Sequence, residues 1–455
     1  MEDITMRKIF QYIMLAVVTI VMASCTSDIE ETTATTGKNN IQLVVGEFPA
    51  FGDSQTRAIG TPDEGKTSWA EGDELLLEID NTSYGRHNAT FTYNGKSWEL
   101  TSGELVYLEG DPAYISHVYY APNYKWSNTS LMLKKGKVAG TDELIEGKAR
   151  ITGNGETITV SFAEATRKYS RLRIATLPNE QITVDTEYFT PAGSSDMEQN
   201  RNYTLTSDEK GNAYLYGTFE NNSEVTVKYR EAALTTYTFS QATESAKSYA
   251  LDATVISANS AEEIKSAIEQ KVADGKTTIR LNLAPNAGTN EFMAIREAIK
   301  GAAPNDLGTI ELTIIGVETI PEEAFYKMLQ LKSVRMSDVK EIKKYAFKEC
   351  QYLTVVEAPS LNKLCSGAFK KCDQLEKLTF GPINYADERN WLIFEYITPN
   401  IDLILSDYQK EMIETDDDLY TANNDIDYAL SPEHVSKNFL GHEFKSITCR
   451  RYRVE

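Results

Sequence analysis

One pattern of apolar residues occurs three times between Val317 and Leu378, and each copy follows the previous one after 22 residues. A fixed period of this size with a leucine-type skeleton is typical of repeat arrays, in which equivalent residues of successive coils stack into continuous interior columns. Apolar and polar residues alternate from Val334 to Met336 and at the matching positions of the next two copies, which predicts a strand in each copy. This part of the chain is therefore expected to be a scaffold and not a reaction centre. The aligned columns are Val317, Val339 and Leu361; Ile320, Ile342 and Leu364; Ala324-Phe325, Ala346-Phe347 and Ala368-Phe369; Leu331, Leu353 and Leu375; and Val334, Val356 and Leu378.

Less regular copies extend the pattern on both sides. Leu312 and Ile314 lie one period before Val334 and Met336. After the third copy the expected period is 23 residues, so that about five coils are predicted in all. The predicted partners beyond the third copy are Ile401 for Leu378, Leu403 for Phe380, and Trp391-Leu392 for the Ala-Phe pair.

Each clear copy contains Ala-Phe, three residues, Cys or a similar residue, two residues, Leu, two residues and Val or Leu. The three stretches are AFYKMLQLKSV, AFKECQYLTVV and AFKKCDQLEKL. They resemble the BspA-like leucine-rich repeats of surface proteins in the Bacteroides group, over about residues 310 to 410. The resemblance implies a right-handed solenoid used for adhesion or ligand contact at the cell surface, and it names no ligand.

Length and charge limit the other possibilities. A chain of 455 residues is too long for one core and predicts two to four domains. The formal net charge of -21 argues against nucleic acid and anionic lipid headgroups as partners, because both require a basic surface.

The first 25 residues have the three parts of a signal peptide. Met6-Arg7-Lys8 is followed by an apolar stretch to Met22, which is too short and interrupted for a membrane span, and then by Ala-Ser-Cys25. The ending resembles a bacterial lipobox, which implies that Cys25 is acylated and inserted in outer-membrane lipid. The alternative is an ordinary signal peptide cut near Ser24, which leaves a free thiol.

Residues 26–40 are a Thr-rich stretch with too few apolar residues to fold, and a flexible tether is predicted there. The acidic residues just after Cys25 resemble the export signal that places lipoproteins on the outer face of the outer membrane. We therefore expect a lipid-anchored, surface-exposed protein.

From Ile41 to Thr254 the chain has short runs rich in Val, Ile, Thr and Tyr, separated by Gly, Asn and Asp. Asn94-Gly95 is a good hairpin turn because both residues tolerate positive φ. The spacing predicts two all-β sandwiches, over residues 41–165 and 166–256.

Four segments in this region follow the order seen in fimbrillin-like (Mfa-like) proteins. They are Thr56-Arg57-Ala58, WAEGDEL at residues 69–75, YNGKSW at residues 93–98 and YYAP at residues 119–122. The resemblance implies two transthyretin-like sandwiches. In pilus-forming relatives a protease cuts after an arginine near the first strand, and Arg57 stands in that place. An exposed loop arginine is the simpler interpretation, because the sandwiches continue into another domain and leave no free C-terminal donor strand.

Residues 257–455 are expected to form an α/β leucine-rich-repeat domain with capping segments. Ser260 and Glu263 form a capping box for a helix that stops near Gly275. A strand around Leu281 and a second helix over 291–300 complete the predicted N-terminal cap, while a weak helix over 408–413 and the segment 439–447 are expected to cap the other end.

Candidate chemistry is sparse. The four histidines are scattered, no nucleotide-binding or hydrolase motif occurs, and neither a catalytic site, a cofactor nor a metal is predicted. Cys350 and Cys372 share a column with Met328, which indicates small buried hydrophobes, although a disulfide between them stays open. The acidic stretch 414–427 has enough oxygen ligands for calcium but lacks an EF-hand pattern, so a solvated loop is preferred.

The outward strand positions of the repeats are the predicted ligand-binding surface. They carry mixed charge and no aromatic residue, which gives weak support to either a protein or a glycan ligand. We interpret the chain as a non-catalytic surface adhesin, with a minor or tip subunit of a fimbria and a glycan-binding accessory lipoprotein as alternatives. The predicted residues are Ser333, Arg335, Val355, Glu357, Lys377 and Thr379.

Overall fold

The computed structural model shows a β-rich multidomain protein with two helices among the residues that it describes. Three sheets of seven or eight strands follow one another along the chain. The predicted domain boundaries stay predictions. The described residues are 42–49, 51, 66–81, 85–104, 113–128, 130–152, 157–162, 167–230, 232–258, 260–383, 385–386, 392–406, 430–431, 434–435, 438–440 and 442–450.

The first sheet curls around one core. Its strands are β1 (Gln42–Val45), β2 (Glu74–Asn81), β3 (Gly85–Tyr93), β4 (Trp98–Gly103), β5 (Ala113–Tyr120), β8 (Ile145–Thr152) and β9 (Thr157–Ser161), with a separate hairpin of β6 (Tyr124–Ser127) and β7 (Ser130–Leu133). The hydrogen-bonded order is β1-β9-β8-β5-β2-β3-β4. Leu43 on β1 and Trp98 on β4 lie at opposite ends of this order, yet both belong to the same buried cluster. The predicted strands and core are present, and the strands form one continuous hydrogen-bonded path, as in a sandwich- or barrel-like sheet.

The second sheet resembles the first in how its first and last strands pair. Its strands are β10 (Ser170–Ala175), β11 (Gln181–Pro191), β12 (Glu198–Thr206), β13 (Asn212–Phe219), β14 (Glu224–Tyr229), β15 (Ala232–Thr238) and β16 (Ser248–Asp252). The order is β15-β14-β11-β13-β10-β16, and β12 pairs with β11. In both sheets the first strand pairs in parallel with the last, β1 with β9 and β10 with β16.

A buried arginine joins the first two sheets. Arg167 is 1% exposed and donates from Nη1 to the carbonyl oxygen of Pro49 over 2.6 Å, while its Nε and Nη2 donate to the two carboxylate oxygens of Glu143 over 3.3 Å. Its guanidinium lies 4.0 Å from the ring centre of Phe51. The Tyr169 hydroxyl donates to Glu143 over 2.8 Å, and burial raises the pKa of this phenol well above its usual value. Partners beside the first sheet thus satisfy a buried charge that lies just before the second sheet.

The repeats form the third sheet. Its parallel strands are β17 (Ile256–Ala258), β18 (Thr278–Leu283), β19 (Ile310–Ile315), β21 (Leu331–Met336), β23 (Val355–Ala358), β25 (Lys377–Phe380), β27 (Asp402–Ser406) and β32 (Ser446–Arg450). A second parallel ladder contains β20 (Thr319–Ile320), β22 (Glu341–Ile342), β24 (Lys363–Leu364) and β26 (Tyr385–Ala386). Helices α1 (Ala261–Ala273) and α2 (Thr289–Ala302) precede the clear copies, and short hairpins β28 (Leu430–Ser431) with β29 (His434–Val435) and β30 (Asn438–Phe439) with β31 (His442–Glu443) lie near the end.

The predicted apolar columns are confirmed. Phe325, Phe347 and Phe369 are fully buried, and their rings stack with centroids 5.1 and 5.4 Å apart. Phe292 of α2 meets one end of this column edge-on. The Ser260 side chain accepts from the Glu263 N–H, so the predicted cap of α1 is also confirmed. The helices cover the first coil because they supply the apolar side chains that its interior lacks.

The coil after the third copy differs from the prediction. Leu378 pairs with Leu403, not with Ile401, so the step is 25 residues. The phenylalanine column continues through Phe394, whose ring is 5.9 Å from that of Phe369 and nearly parallel to it. The pair that replaces Ala-Phe is therefore Ile393-Phe394 and not Trp391-Leu392, because only a fully buried aromatic ring continues the stack.

The second sheet and the repeats pack directly against each other. Ile315 at the end of β19 belongs to the buried cluster of the second sheet. Arg280 on β18 is 6% exposed and donates from Nε to the carbonyl oxygen of Leu234 over 2.6 Å. Separating the two parts of the chain near residue 256 would expose Ile315 and Arg280 to solvent. This contact therefore holds the repeats against the second sheet.

Within the described residues, no helix is both long and apolar enough to cross a membrane. Several predictions fall outside those residues: acylation at Cys25, processing at Arg57, the helix over 408–413 and calcium binding by the 414–427 stretch.

Candidate ligand-binding surface of the repeats

The six predicted binding residues lie in two rows across neighbouring strands. The first row pairs Ser333 with Val355 and Val355 with Lys377, and the second pairs Arg335 with Glu357 and Glu357 with Thr379. The structure therefore brings all six to one face of the third sheet, here called the strand face.

Two of the six residues on the strand face are less exposed than the sequence predicts. Ser333 and Thr379 are 9% and 5% exposed, since each short side chain stands between longer ones on the neighbouring strands. Both lie on the predicted face but are buried there. Arg335 donates from Nε to Glu357 Oε2 over 2.9 Å, so its charge is neutralised by the next coil.

Ion pairs between successive coils recur around the array. Their role is to hold adjacent coils together, and each exposed pair contributes at most about 1 kcal/mol. A cation engaged in this way offers a ligand only part of its charge. The pairs are Lys332 with Glu311, Lys340 with Glu318, Lys363 with Glu341, and Arg335 with Glu357.

A different surface lies at the bends around each Ala-Phe pair. The residue before the pair and the second residue after it adopt positive φ in successive coils, which non-glycine residues rarely do. The bends stay in place because their N–H groups donate to the next coil, as from Glu349 to Lys370 over 2.8 Å. The left-handed residues are Glu323, Lys327, Tyr345, Glu349, Gly367, Lys371 and Tyr396.

These bends bring tyrosine and lysine side chains into one alternating line. The Lys348 ammonium lies 5.2 Å from the ring centre of Tyr326 and 4.8 Å from that of Tyr345. The Tyr345 ring lies over Gly367, where an added Cβ would be only 2.4 Å from Cε1. Lys370 lies 5.3 Å from the ring centre of Tyr396, which is 67% exposed. We call Tyr326, Lys348, Tyr345, Lys370 and Tyr396, with the flanking Lys327, Lys344 and Lys371, the tyrosine–lysine column.

Two glutamates orient the lysines of the column. Glu349 lies 3.4 Å from the Lys327 ammonium, and Glu395 forms an ion pair with Lys370. A hydrogen bond to Tyr326 and the charge of Glu349 raise the pKa of Lys327, and a hydrogen bond to Glu395 raises the pKa of Lys370. Both ammonium groups therefore stay charged beside the rings of the column, which attract them.

The cysteines of the repeats are structural. Cys350 and Cys372 are reduced and fully buried, and their thiols donate to the carbonyl oxygens of Phe325 and Phe347 over 3.0 Å. Burial raises the pKa of Cys350 to about 12 and that of Cys372 well above its usual value. The prediction of small buried hydrophobes is confirmed.

We expect iodoacetamide at pH 8 to alkylate neither Cys350 nor Cys372 in the native protein, because the reactive thiolate is absent. The partly exposed Cys365 is the internal control and should react. Mass spectrometry of the individual peptides measures the three rates. Native labelling of Cys350 as fast as Cys365 would contradict this packing, whereas all three should react after unfolding.

A partly buried histidine makes the last coil sensitive to acid. The His442 ring lies between Phe394 and Phe444, and burial lowers its pKa. Below about pH 6.5 the unfolded chain therefore binds more protons than the folded one, and stability falls as pH decreases. Denaturation midpoints at pH 7.5 and 5.5 should differ less in His442→Phe than in the native chain. An equal difference in His442→Phe and in the native chain would contradict this account.

The second sheet carries an open polar cleft of about 930 Å³ over β11, β12 and β14. Its central carboxylate, Asp185, already accepts from Asn202 over 2.7 Å and pairs with Lys228 over 2.5 Å. Among the described residues, no group of three or more His, Cys, Asp or Glu side chains is placed to hold a metal ion. The hydrogen-bonding groups of the cleft are thus largely satisfied within the sheet.

Comparison with known proteins supports the prediction of leucine-rich repeats. Residues 306–400 match the family described as BspA type leucine rich repeat region, in six copies. No curated protein matches the chain. A crystal structure of a "putative cell adhesion protein" from Bacteroides fragilis NCTC 9343 matches with a TM-score of 0.25 and 10% identity, over 50% of this chain and 93% of that one.

These findings define a β-rich multidomain protein that contains a BspA-type leucine-rich-repeat region. The BspA-like prediction is confirmed for the repeats. The fimbrillin-like resemblance stays a prediction.

Proposed function

We propose that this protein is a non-catalytic adhesin of the bacterial surface and that its repeats form a solenoid which contacts the ligand through the tyrosine–lysine column. The observation that carries the proposal is the line of partly exposed rings and cations across four coils, which ends at the exposed Tyr396. Tyrosine is among the residues that dominate binding energy at protein surfaces, because one rigid side chain offers both apolar area and a hydrogen bond.

The packing between sheets supports a role in presentation. Arg167 connects the first sheet to the second, and Arg280 connects the second to the repeats. A load applied at the column would therefore be transmitted through buried contacts to the N-terminal end. An adhesin requires such a connection between its ligand and its anchor.

The anchor in this proposal is lipid on Cys25, followed by the tether over 26–40. The first two sheets form the stalk, and we propose that they are transthyretin-like sandwiches of the fimbrillin-like kind. In both sheets the first strand pairs in parallel with the last, which is consistent with two related units.

Location is tested in cells that express the full chain. We expect antibody labelling of intact cells and recovery in the outer-membrane fraction, and we expect Cys25→Ala to be lost from that fraction. Labelling only after permeabilisation would exclude a surface adhesin. Co-purification with a polymer and a cut at Arg57 would instead indicate a fimbrial subunit.

Adhesion is tested with beads that carry the full chain, on a reconstituted basement-membrane matrix. We expect Tyr326→Ser with Tyr345→Asn and Tyr396→Asn to abolish retention. The matched variant on the strand face, Arg335→Ser with Glu357→Ser and Lys377→Ser, should retain binding. Asparagine tolerates the positive φ at Tyr345, so the backbone is preserved there.

A further inference from the structure

The column alternates rings and cations at the spacing of the coils. Neighbouring coils lie about 5 Å apart, and the line runs from Tyr326 through Lys348, Tyr345 and Lys370 to Tyr396. A linear polymer that lies along this line would meet a flat apolar ring and a positive charge in turn. Such a ligand needs apolar faces and acidic groups that also alternate.

We propose that the tyrosine–lysine column binds a linear anionic polysaccharide, with its sulfate or carboxylate groups on the lysines and its sugar rings on the tyrosines. The inference rests on the function proposed above and names the ligand class of the same surface. The C–H faces of sugar rings stack on aromatic rings, and ammonium groups form charge-assisted hydrogen bonds with sulfate and carboxylate.

Only local charge can attract a polyanion to this protein. The chain carries a formal net charge of -21, so a polyanion is repelled from most of its surface. Lys344 and Lys371 add exposed cations beside the column. Binding therefore depends on the lysines of the column, and its affinity should fall as salt increases.

Backbone pairing argues against an acidic peptide as the partner. Extended peptides commonly bind by adding main-chain hydrogen bonds to a free strand edge. At these bends the main-chain groups already join neighbouring coils, as Phe347 N–H to Ala368 O over 2.8 Å and Lys371 N–H to Glu395 O over 3.0 Å. The column offers only side chains, which suit a sugar chain.

The test uses the full chain and immobilised heparin as the probe, with neutral dextran as a blank. We expect the native protein to bind heparin and to be released by salt. Lys348→Gln with Lys370→Gln should weaken binding by about tenfold, and Tyr345→Asn by about threefold. The matched control, Lys332→Gln with Lys340→Gln, removes the same charge and two ion pairs elsewhere on the coils, and should change binding by less than about twofold.

Three results would overturn the inference: no binding to heparin, equal loss in the matched control, or equal competition by poly-glutamate and heparin. The last would identify an acidic peptide as the ligand. Circular dichroism of every variant excludes unfolding as the cause. If heparin does not bind but beads still adhere to matrix through the column, only this inference fails; if labelling of intact cells fails, the proposed function fails instead.

Discussion

Replacing Phe347 with alanine should lower the free energy of unfolding by about 3 to 5 kcal/mol, the largest effect expected in the repeats. Phe347 is fully buried, and its ring stacks on Phe325 on one side and Phe369 on the other. The neighbouring coils cannot close the cavity, because their own rings are held in the same column. Chemical denaturation followed by circular dichroism measures the loss.

The matched control is Tyr396→Asn, which removes an aromatic ring that is two-thirds exposed and keeps a residue that tolerates its positive φ. Surface changes of this kind stay within about 0.5 kcal/mol. A cost below about 1 kcal/mol for Phe347→Ala would show that the stacked rings do not hold the repeats together.

Replacing Arg167 with alanine should cost about 3 to 5 kcal/mol, because Glu143 would remain buried without its cationic partner. The carbonyl oxygen of Pro49 and the ring of Phe51 would also lose a contact. Since these groups belong to the junction of the first two sheets, we expect the thermal transition of the native chain to split into separate steps. Differential scanning calorimetry measures both effects.

The double variant Arg167→Met with Glu143→Leu should be less destabilised than Arg167→Ala alone, since it removes the unpaired charge as well. Lys168→Ala is the control, because this neighbouring lysine is 82% exposed and pairs with Glu146 at the surface. If Arg167→Ala and Lys168→Ala cost the same, the buried pair does not couple the sheets.

The repeat could be predicted because burial imposes a period on the sequence. Columns such as Phe325, Phe347 and Phe369 must be apolar in every coil, and a fixed spacing follows from the fixed length of each coil. The insertion after the third copy made the alignment of the next copy ambiguous, because Trp391-Leu392 is as apolar as Ile393-Phe394. Only ring stacking distinguishes the two pairs.

The tyrosine–lysine column could not be predicted from the same pattern. Tyr326, Tyr345 and Tyr396 occupy three different positions of the repeat, so they produce no periodic signal. They meet because the chain bends to positive φ on both sides of each Ala-Phe pair. The six residues predicted on the strand face were chosen from alternation alone, which cannot show that Arg335 is neutralised by Glu357 from the next coil.

The burial of Arg167 could not be predicted from the sequence for a related reason. A charged residue after an irregular stretch is normally exposed, and its burial depends on partners more than 20 residues away in the sequence, Glu143 and Pro49. Pairings between such distant residues leave no local signal. The first two sheets could therefore be predicted, but the contact between them could not.

The most direct test of the account measures the retention under flow of beads that carry the full chain on a basement-membrane matrix. The comparison is between the native protein, the triple tyrosine variant of the column and the triple variant of the strand face. We expect the column variant to detach at the lowest flow and the strand-face variant to behave as the native protein does. Normal retention of the column variant, with loss in the strand-face variant, would contradict the central claim.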